Sequence, residues 1–241
     1  QKEITLSSVD LVMNIIPSTS KQSSVPYTVV GGKKIDRSVK YPRSFSILLL
    51  NRGGKYNRWN IFNTLKKLRA DEIISVESPD APYDVEQLTK DFENVRFLIL
   101  HEHTTNGEMV NIGIEESRGK FIYALWNDMI PDPVPGELLN QHLFLNTLCI
   151  QPTFINHLND EVPSIQAPAF YKRQMKILHL PLEAESAKTL YPLDYTGIYN
   201  KERFTLAGGY DKTISNHYWQ KADFGFRSYM WGEEITIDNR L

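Results

Sequence analysis

Between residues 45 and 126 the chain repeats one pattern, a short apolar run followed by an amphipathic stretch. FSILLLN (45–51) reads as a fully buried strand. WNIFNTLKKL (59–68) then sets Trp59, Ile61, Phe62, Leu65 and Leu68 near one helical face, with lysines opposite. EIISVESP (72–79) is a second strand closed by Pro79, and DVEQLTKDF (84–92) a helix. VRFLIL (95–100) is a third strand, and NGEMVNIGIEESRG (106–119) a helix with Gly119 in a stop position. FIYALW (121–126) is a fourth strand that runs into NDMIPDPVP. Such alternation predicts an α/β fold of right-handed βαβ units around a mostly parallel sheet flanked by helices. Ligands of these sheets sit outside the carboxyl ends of the strands. That rule selects Asn51, Glu77, His101 to His103 and Trp126 to Asp128.

Composition removes several other classes. At 241 residues with 41% hydrophobic and 23% charged side chains, the chain can bury a core without staples. Its longest apolar runs are a third of a membrane span. A single cysteine, Cys149, excludes an internal disulfide or a thiolate metal cage and points to a reducing compartment. The N-terminus shows no secretory pattern, and Gln1 in place of Met is expected of a trimmed chain. Net charge is only −2, but residues 33–69 hold eleven Lys or Arg against the one acid Asp36. This local +10 predicts an anionic partner: a phosphate group, a lipid headgroup or nucleic acid. A solvated helix face around Lys66, Lys67 and Arg69 explains it equally well.

Residues 1–43 are Ser-rich and polar and read as an N-terminal extension, with a single domain over 44–241. After residue 147 the alternation loosens. LCIQPTFI, MKILHLPL and EITID suggest short antiparallel or edge strands, broken by prolines at 152, 163, 168, 181 and 192. Residues 204–232 read as a Gly-Gly turn and an amphipathic helix whose apolar side is Phe224, Phe226, Tyr229 and Met230.

Three segments stand in a telling order. GEMVNIGIEESRG (107–119) leads at once into FIYALW and NDM. FTLAGGYDK (204–212) follows after roughly 75 residues, and KADFGFRSYMWG (221–232) lies in the last helix. Over residues 44–237 this arrangement resembles the inverting family 2-type glycosyltransferases of GT-A fold. In that family a G-x-x-x-N-x-G helix precedes a strand ending in a D-x-D metal motif. A GG-(F/Y)-D turn follows, and then a helix with acids four and six places before an Arg.

The resemblance implies transfer of a sugar from a nucleotide-diphosphate donor to a hydroxyl of a glycan or lipid-linked acceptor, in cell-surface glycan assembly. It also implies a cytoplasmic location, peripheral to the inner face of an anionic membrane, with no nucleic-acid partner. Donor contacts fall on Asn51, Arg52, Glu77, Asn111, Asn127 and Asp128, with Glu77 placed to accept the imide N–H of a base. A divalent cation, Mg or Mn, falls on Asp128, since Trp126 stands in the first D-x-D position, with Asn127 or Asp132 as compensating donors. The general base falls on Asp223, four before Arg227, because Lys221 stands where the acid six before is expected. Asp211 in GGYD reads as a turn-shaping residue.

Other candidates are weaker. His101 and His103 share one strand face with Glu102 opposite, which is too few ligands for a metal site. GGKK (31–34) and RGGK (52–55) are phosphate-friendly loops or plain tight turns. Two other readings stay open. A non-catalytic relative is favoured by Trp126 and Lys221, and a nucleotidyltransferase would require a G-x-G-T-R-type loop that RGGK matches poorly.

Overall fold

The computed structural model describes residues 25–32, 45–52, 58–68, 70–80, 85–132 and 147–241. The four apolar runs become β2 (Phe45–Leu50), β3 (Glu72–Glu77), β4 (Val95–Leu100) and β5 (Phe121–Trp126), preceded by β1 (Tyr27–Gly31). Between them lie α1 (Arg58–Lys66), α2 (Val85–Asp91) and α3 (Asn106–Glu116). The sheet then continues through β6 (Cys149–Pro152), β9 (Ser186–Lys188), β10 (Gly197–Asn200) and β11 (Ile235–Asp238). Helices α4 (Lys201–Leu206) and α5 (His217–Met230) lie beside it. β7 (Ile165–Tyr171) and β8 (Gln174–Leu180) form a separate hairpin.

Among the described residues the main sheet has nine strands in the order β1-β4-β3-β2-β5-β10-β6-β11-β9. The block β4-β3-β2-β5 is parallel, whereas β1 and β10 pair antiparallel on its two sides. Every residue of β2, β3 and β5 is buried, because helices cover both faces. Ile47 and Leu49 of β2 join α1 and α2 through Phe62, Leu65 and Leu88, whereas Leu48 and Leu50 face α3. This is an α/β sandwich around a mostly parallel block, as the alternation predicts. The segment Tyr27–Gly31 inside the predicted extension is a strand of this same sheet.

The three conspicuous residues of the G-x-x-x-N-x-G helix are docking points. A Cβ on Gly113 would lie 2.2 Å from Leu48 Cδ1, and one on Gly107 would lie 2.6 Å from Gln220 and Tyr210, so α3 approaches β2 and α5 closely. Asn111 Nδ2 donates to Tyr210 O at 2.7 Å, and its Oδ1 accepts from Tyr210 N at 2.9 Å. The Gly-Gly-Tyr turn is thereby clamped onto α3.

Several local expectations are corrected. α3 ends at Ser117, whose Oγ donates to Gly113 O at 2.7 Å, and not at Gly119. Gly119 instead lets the chain pass against Ser46, with its N–H on Ser46 Oγ at 2.9 Å. Trp59 leaves the buried face of α1 and is 54% exposed. On α5, Tyr229 and Met230 are exposed, and the buried side is Gln220, Ala222, Phe224, Gly225 and Ser228. Polar Gln220 is tolerated there because both ends of its amide are bonded. Its Oε1 accepts from Tyr195 OH at 2.9 Å and Gly107 N at 3.1 Å; its Nε2 donates to Thr105 Oγ1 and Asp211 O, each at 2.9 Å.

Candidate functional site

The strand order reverses direction between β2 and β5. After β2 the chain builds outward through β3 and β4, and α3 then carries it back to lay β5 on the other side of β2. Connections therefore diverge at the carboxyl ends of β2 and β5, leaving a crevice. Asn127 bridges the two ends: its N–H donates to Leu50 O at 2.9 Å and its Oδ1 accepts from Arg52 N at 3.3 Å.

Arg52 occupies the middle of this crevice. Its guanidinium lies over the Trp126 ring, 4.3 Å from the centroid. Its Nε stands 3.7 Å from Asp128 Oδ1, and its Nη2 is ion-paired with Asp194. Trp126 itself is buried and donates its indole N–H to Asp194 O at 2.7 Å. The side chains of Arg52, Asp128 and Asp194 are 38%, 29% and 31% exposed, so a ligand has access to all three.

The far wall of the crevice comes from a tight turn and from α5. Asp194 and Tyr195 have consecutive left-handed φ values of 51° and 63°. Asp enters that region readily, but a bulky Tyr does so at a cost of about 1–3 kcal/mol. Tyr195 is held there by its bond to Gln220 and by edge contact with Tyr210, ring centroids 4.9 Å apart. From α5, the Lys221 ammonium rests 5.5 Å from the Tyr195 ring and 5.6 Å from the Tyr191 ring. Burial, and secondarily the charge of Arg52, pull the Lys221 pKa down from its ordinary value. Burial also pushes Tyr191 up to about 12.

The structure distributes the sequence-predicted residues as follows. Arg52, Asn127 and Asp128 meet in the crevice. Asn51 lies beside it, with its amide on Ser75 Oγ at 3.1 Å and Val76 O at 3.0 Å. Glu77 reaches the same Ser75 hydroxyl at 2.6 Å but is 1% exposed and ion-paired with Arg58 at 2.6 Å. Asn111 spends its amide on Tyr210 and Glu108, as described above and at 2.9 Å. Asp223 is paired with Arg227 at 2.8 Å, and Arg227 also donates to Ala207 O and Gly209 O. Two residues apart on a helix means about 200° of rotation, so Asp223 lies on the flank of α5 opposite Lys221. Asp211 caps its own turn, accepting from Thr213 N at 2.8 Å.

His101 meets Thr28 Oγ1 at 2.7 Å and His103 pairs with Asp80 at 3.1 Å. Among the described residues no three His, Cys, Asp or Glu side chains form a metal-holding group. Among them, too, no helix is long and apolar enough to cross a membrane. Gly53 to Lys55 of RGGK, Lys33 and Lys34 of GGKK, and much of the +10 segment lie outside the described residues. Sequence reasoning missed Asp194 and Tyr195. Their only local signal is the Pro-Leu-Asp sequence at 192–194, which marks a turn without saying what it faces.

No protein-family model and no curated protein matches the chain. Solved structures do match. One is S. aureus TarS, at 14% identity over 81% of this chain and 35% of that one, TM-score 0.59. A second TarS structure, of its residues 1–349, matches at 15% identity over 80% of this chain and 57% of that one, TM-score 0.53. GalNAc-T7, in a structure with UDP, GalNAc and Mn2+, matches at 11% identity over 81% of this chain and 42% of that one, TM-score 0.61. The chain thus shares the GT-A fold of these glycosyltransferases while spanning between 35% and 57% of their length.

Proposed function

We propose that the protein binds a nucleoside-diphosphate sugar in the crevice between β2 and β5 and transfers the sugar to an acceptor hydroxyl. The observation that carries this reading is the meeting of Arg52, Asn127 and Asp128 at the strand-order reversal of a GT-A sheet, with Lys221 over the ring of Tyr195, next to the Asp194 that pairs with Arg52. Asn51 flanks it and would face the base of the nucleotide, with Ser75 and the buried Glu77 beneath it. In an inverting transfer, a carboxylate takes the acceptor's proton as its oxygen attacks the anomeric carbon. The bond to the diphosphate breaks on the opposite face, and charge builds on the leaving oxygen. Following the resemblance, the acceptor is a glycan or lipid-linked glycan, and the base is Asp223, which would have to part from Arg227 and be reached by the acceptor from the flank of α5 opposite Lys221.

One observation favours a second reading, in which the donor is bound but not turned over. Asp223 already has a guanidinium partner that also holds the Ala207 and Gly209 carbonyls, and Lys221 presents an ammonium where a base is needed. Incubation with UDP- and GDP-hexoses separates the readings. Release of nucleoside diphosphate that rises with added glycan acceptor and vanishes in Asp223→Asn supports transfer. Saturable binding without release supports the binding module. Absence of any saturable nucleotide-sugar binding overturns both.

A further inference from the structure

Resting on the donor-binding reading, we infer that the donor's diphosphate is held by two fixed side-chain cations, Arg52 and Lys221, in place of a divalent metal ion.

The donor set does not suit a metal. A hard dication needs converging oxygen ligands. Trp126 stands in the first position of the expected D-x-D and offers only an indole N–H, already given to Asp194 O at 2.7 Å. The carboxylates of Asp128 and Asp194 do converge, but on the Arg52 guanidinium, which fills the space between them. The Asn127 side-chain oxygen, a further candidate ligand, accepts from Arg52 N at 3.3 Å. What in a metal site would be a shared cation is here a side chain stacked on Trp126, 4.3 Å from the ring centroid.

The same groups suit a diphosphate. Guanidinium is planar and forked, and it binds two phosphate oxygens at once; ammonium supplies a second, compact charge. Asp128 and Asp194 hold Arg52 in place, yet both pairs are partly exposed, and such pairs are worth about 1 kcal/mol or less. An incoming diphosphate can therefore displace them. Lys221 has no carboxylate partner among the described residues; its neighbours are the Tyr191 and Tyr195 ring faces. An ammonium withdrawn from water onto aromatic rings, without an anion, is a site that a ligand completes.

The test is calorimetric titration of the full chain with uridine diphosphate, guanosine diphosphate and inorganic pyrophosphate, each in chelator and in Mn2+. A diphosphate should bind in chelator within about twofold of its affinity in Mn2+. Arg52→Gln and Lys221→Gln should each weaken it by about tenfold or more. Arg52→Lys, which keeps the charge and loses the fork, should fall between. Asp128→Asn gives opposite signs under the two models. A metal site loses affinity with its ligand, whereas a cation-pair site binds equally or more tightly once a competitor for Arg52 is gone. Binding that requires Mn2+ and disappears in Asp128→Asn overturns the inference and leaves donor binding intact. Failure of all three probes in both buffers overturns donor binding as well. Circular dichroism of each variant establishes that a loss is not unfolding.

Discussion

The parallel sheet carries a charge cluster at each end, and the two are built on different principles. At the amino ends, Glu72 accepts from Ser46 Oγ at 2.7 Å, from Arg96 at 3.2 Å and from Arg118 N. Arg96 also meets Glu116 at 3.2 Å, and Glu116 accepts from Tyr27 OH at 2.8 Å. Lys201 donates to Glu115 O at 2.9 Å and to Ser117 O. These groups tie β1, β2, β3, β4 and α3 together around Glu72 and Arg96, whose side chains are 3% and 11% exposed, with Arg96 Nε the one nitrogen of that guanidinium left unpartnered among the described residues. At the carboxyl ends, Arg52, Asp128, Asp194 and Lys221 are partly exposed, and Lys221 rests on tyrosine rings with no carboxylate partner among the described residues. A buried network whose charges are matched holds a fold. An open one with an unmatched charge is arranged for something that has yet to arrive.

Breaking the buried end should have the largest effect. Glu72→Ala leaves Arg96 short of a partner and takes the carboxylate away from the Ser46 hydroxyl proton and from Arg118 N, and is expected to cost about 3–5 kcal/mol in urea unfolding. A loss below about 1 kcal/mol would mean that the two clusters do not differ in kind. Gln220→Ala tests the link between α3, α5 and the strained turn. It takes one partner from each of Tyr195 OH, Gly107 N, Thr105 Oγ1 and Asp211 O, and about 2–3 kcal/mol should be lost. If stability is unchanged, Tyr195 is held at positive φ by something other than this amide.

Arg52→Ala sharpens the contrast from the other end. Its stability cost should be about 1 kcal/mol or less, because its ion pairs are exposed, whereas diphosphate affinity falls by about tenfold. A loss of stability as large as that of Glu72→Ala would make Arg52 a scaffold residue.

The smallest effects are those of pH. Lys221 binds an anion only as the ammonium, and burial with Arg52 nearby lowers its pKa from 10.5, so ligand affinity should fade at a lower alkaline pH than an ordinary lysine allows. The groups facing it are Arg52, Tyr191 and Tyr195, with Asp128 and Asp194 beyond Arg52. Stability follows a different group. Tyr123 and Tyr191 are raised by burial from 10.0 to about 12, so their contribution is complete below pH 10 and is lost as pH rises through 12. Alkaline titration followed by tyrosinate absorbance and by far-ultraviolet dichroism should show the two signals changing together. Tyrosines that ionise well before unfolding would contradict the burial argument.

The sequence alone determined the parallel half of the sheet. Near-continuous apolar runs in β2 and β5, separated by amphipathic helices, call for strands covered on both faces, and every residue in them is buried. Its resemblance to a family motif also marked Gly107, Asn111 and Gly113, and the close contacts of α3 with α5, the Gly-Gly-Tyr turn and β2 explain why those types stand there. The second half was less legible. Its strands are four residues or shorter, apart from a hairpin of two seven-residue strands that joins no other sheet strand, so periodicity had little length over which to show. The charge cluster of the crevice was decided by tertiary structure alone. Arg52 and Asp194 are 142 residues apart, and Lys221 comes from a third element. Hydrophobic patterning is written in neighbours two to four residues apart, and local propensity can recover it. The meeting of distant charges depends on which strand lies beside which. Here β5 lies beside β2, with β10 on its far side and the Asp194 turn just before β10, an order that only the folded chain contains.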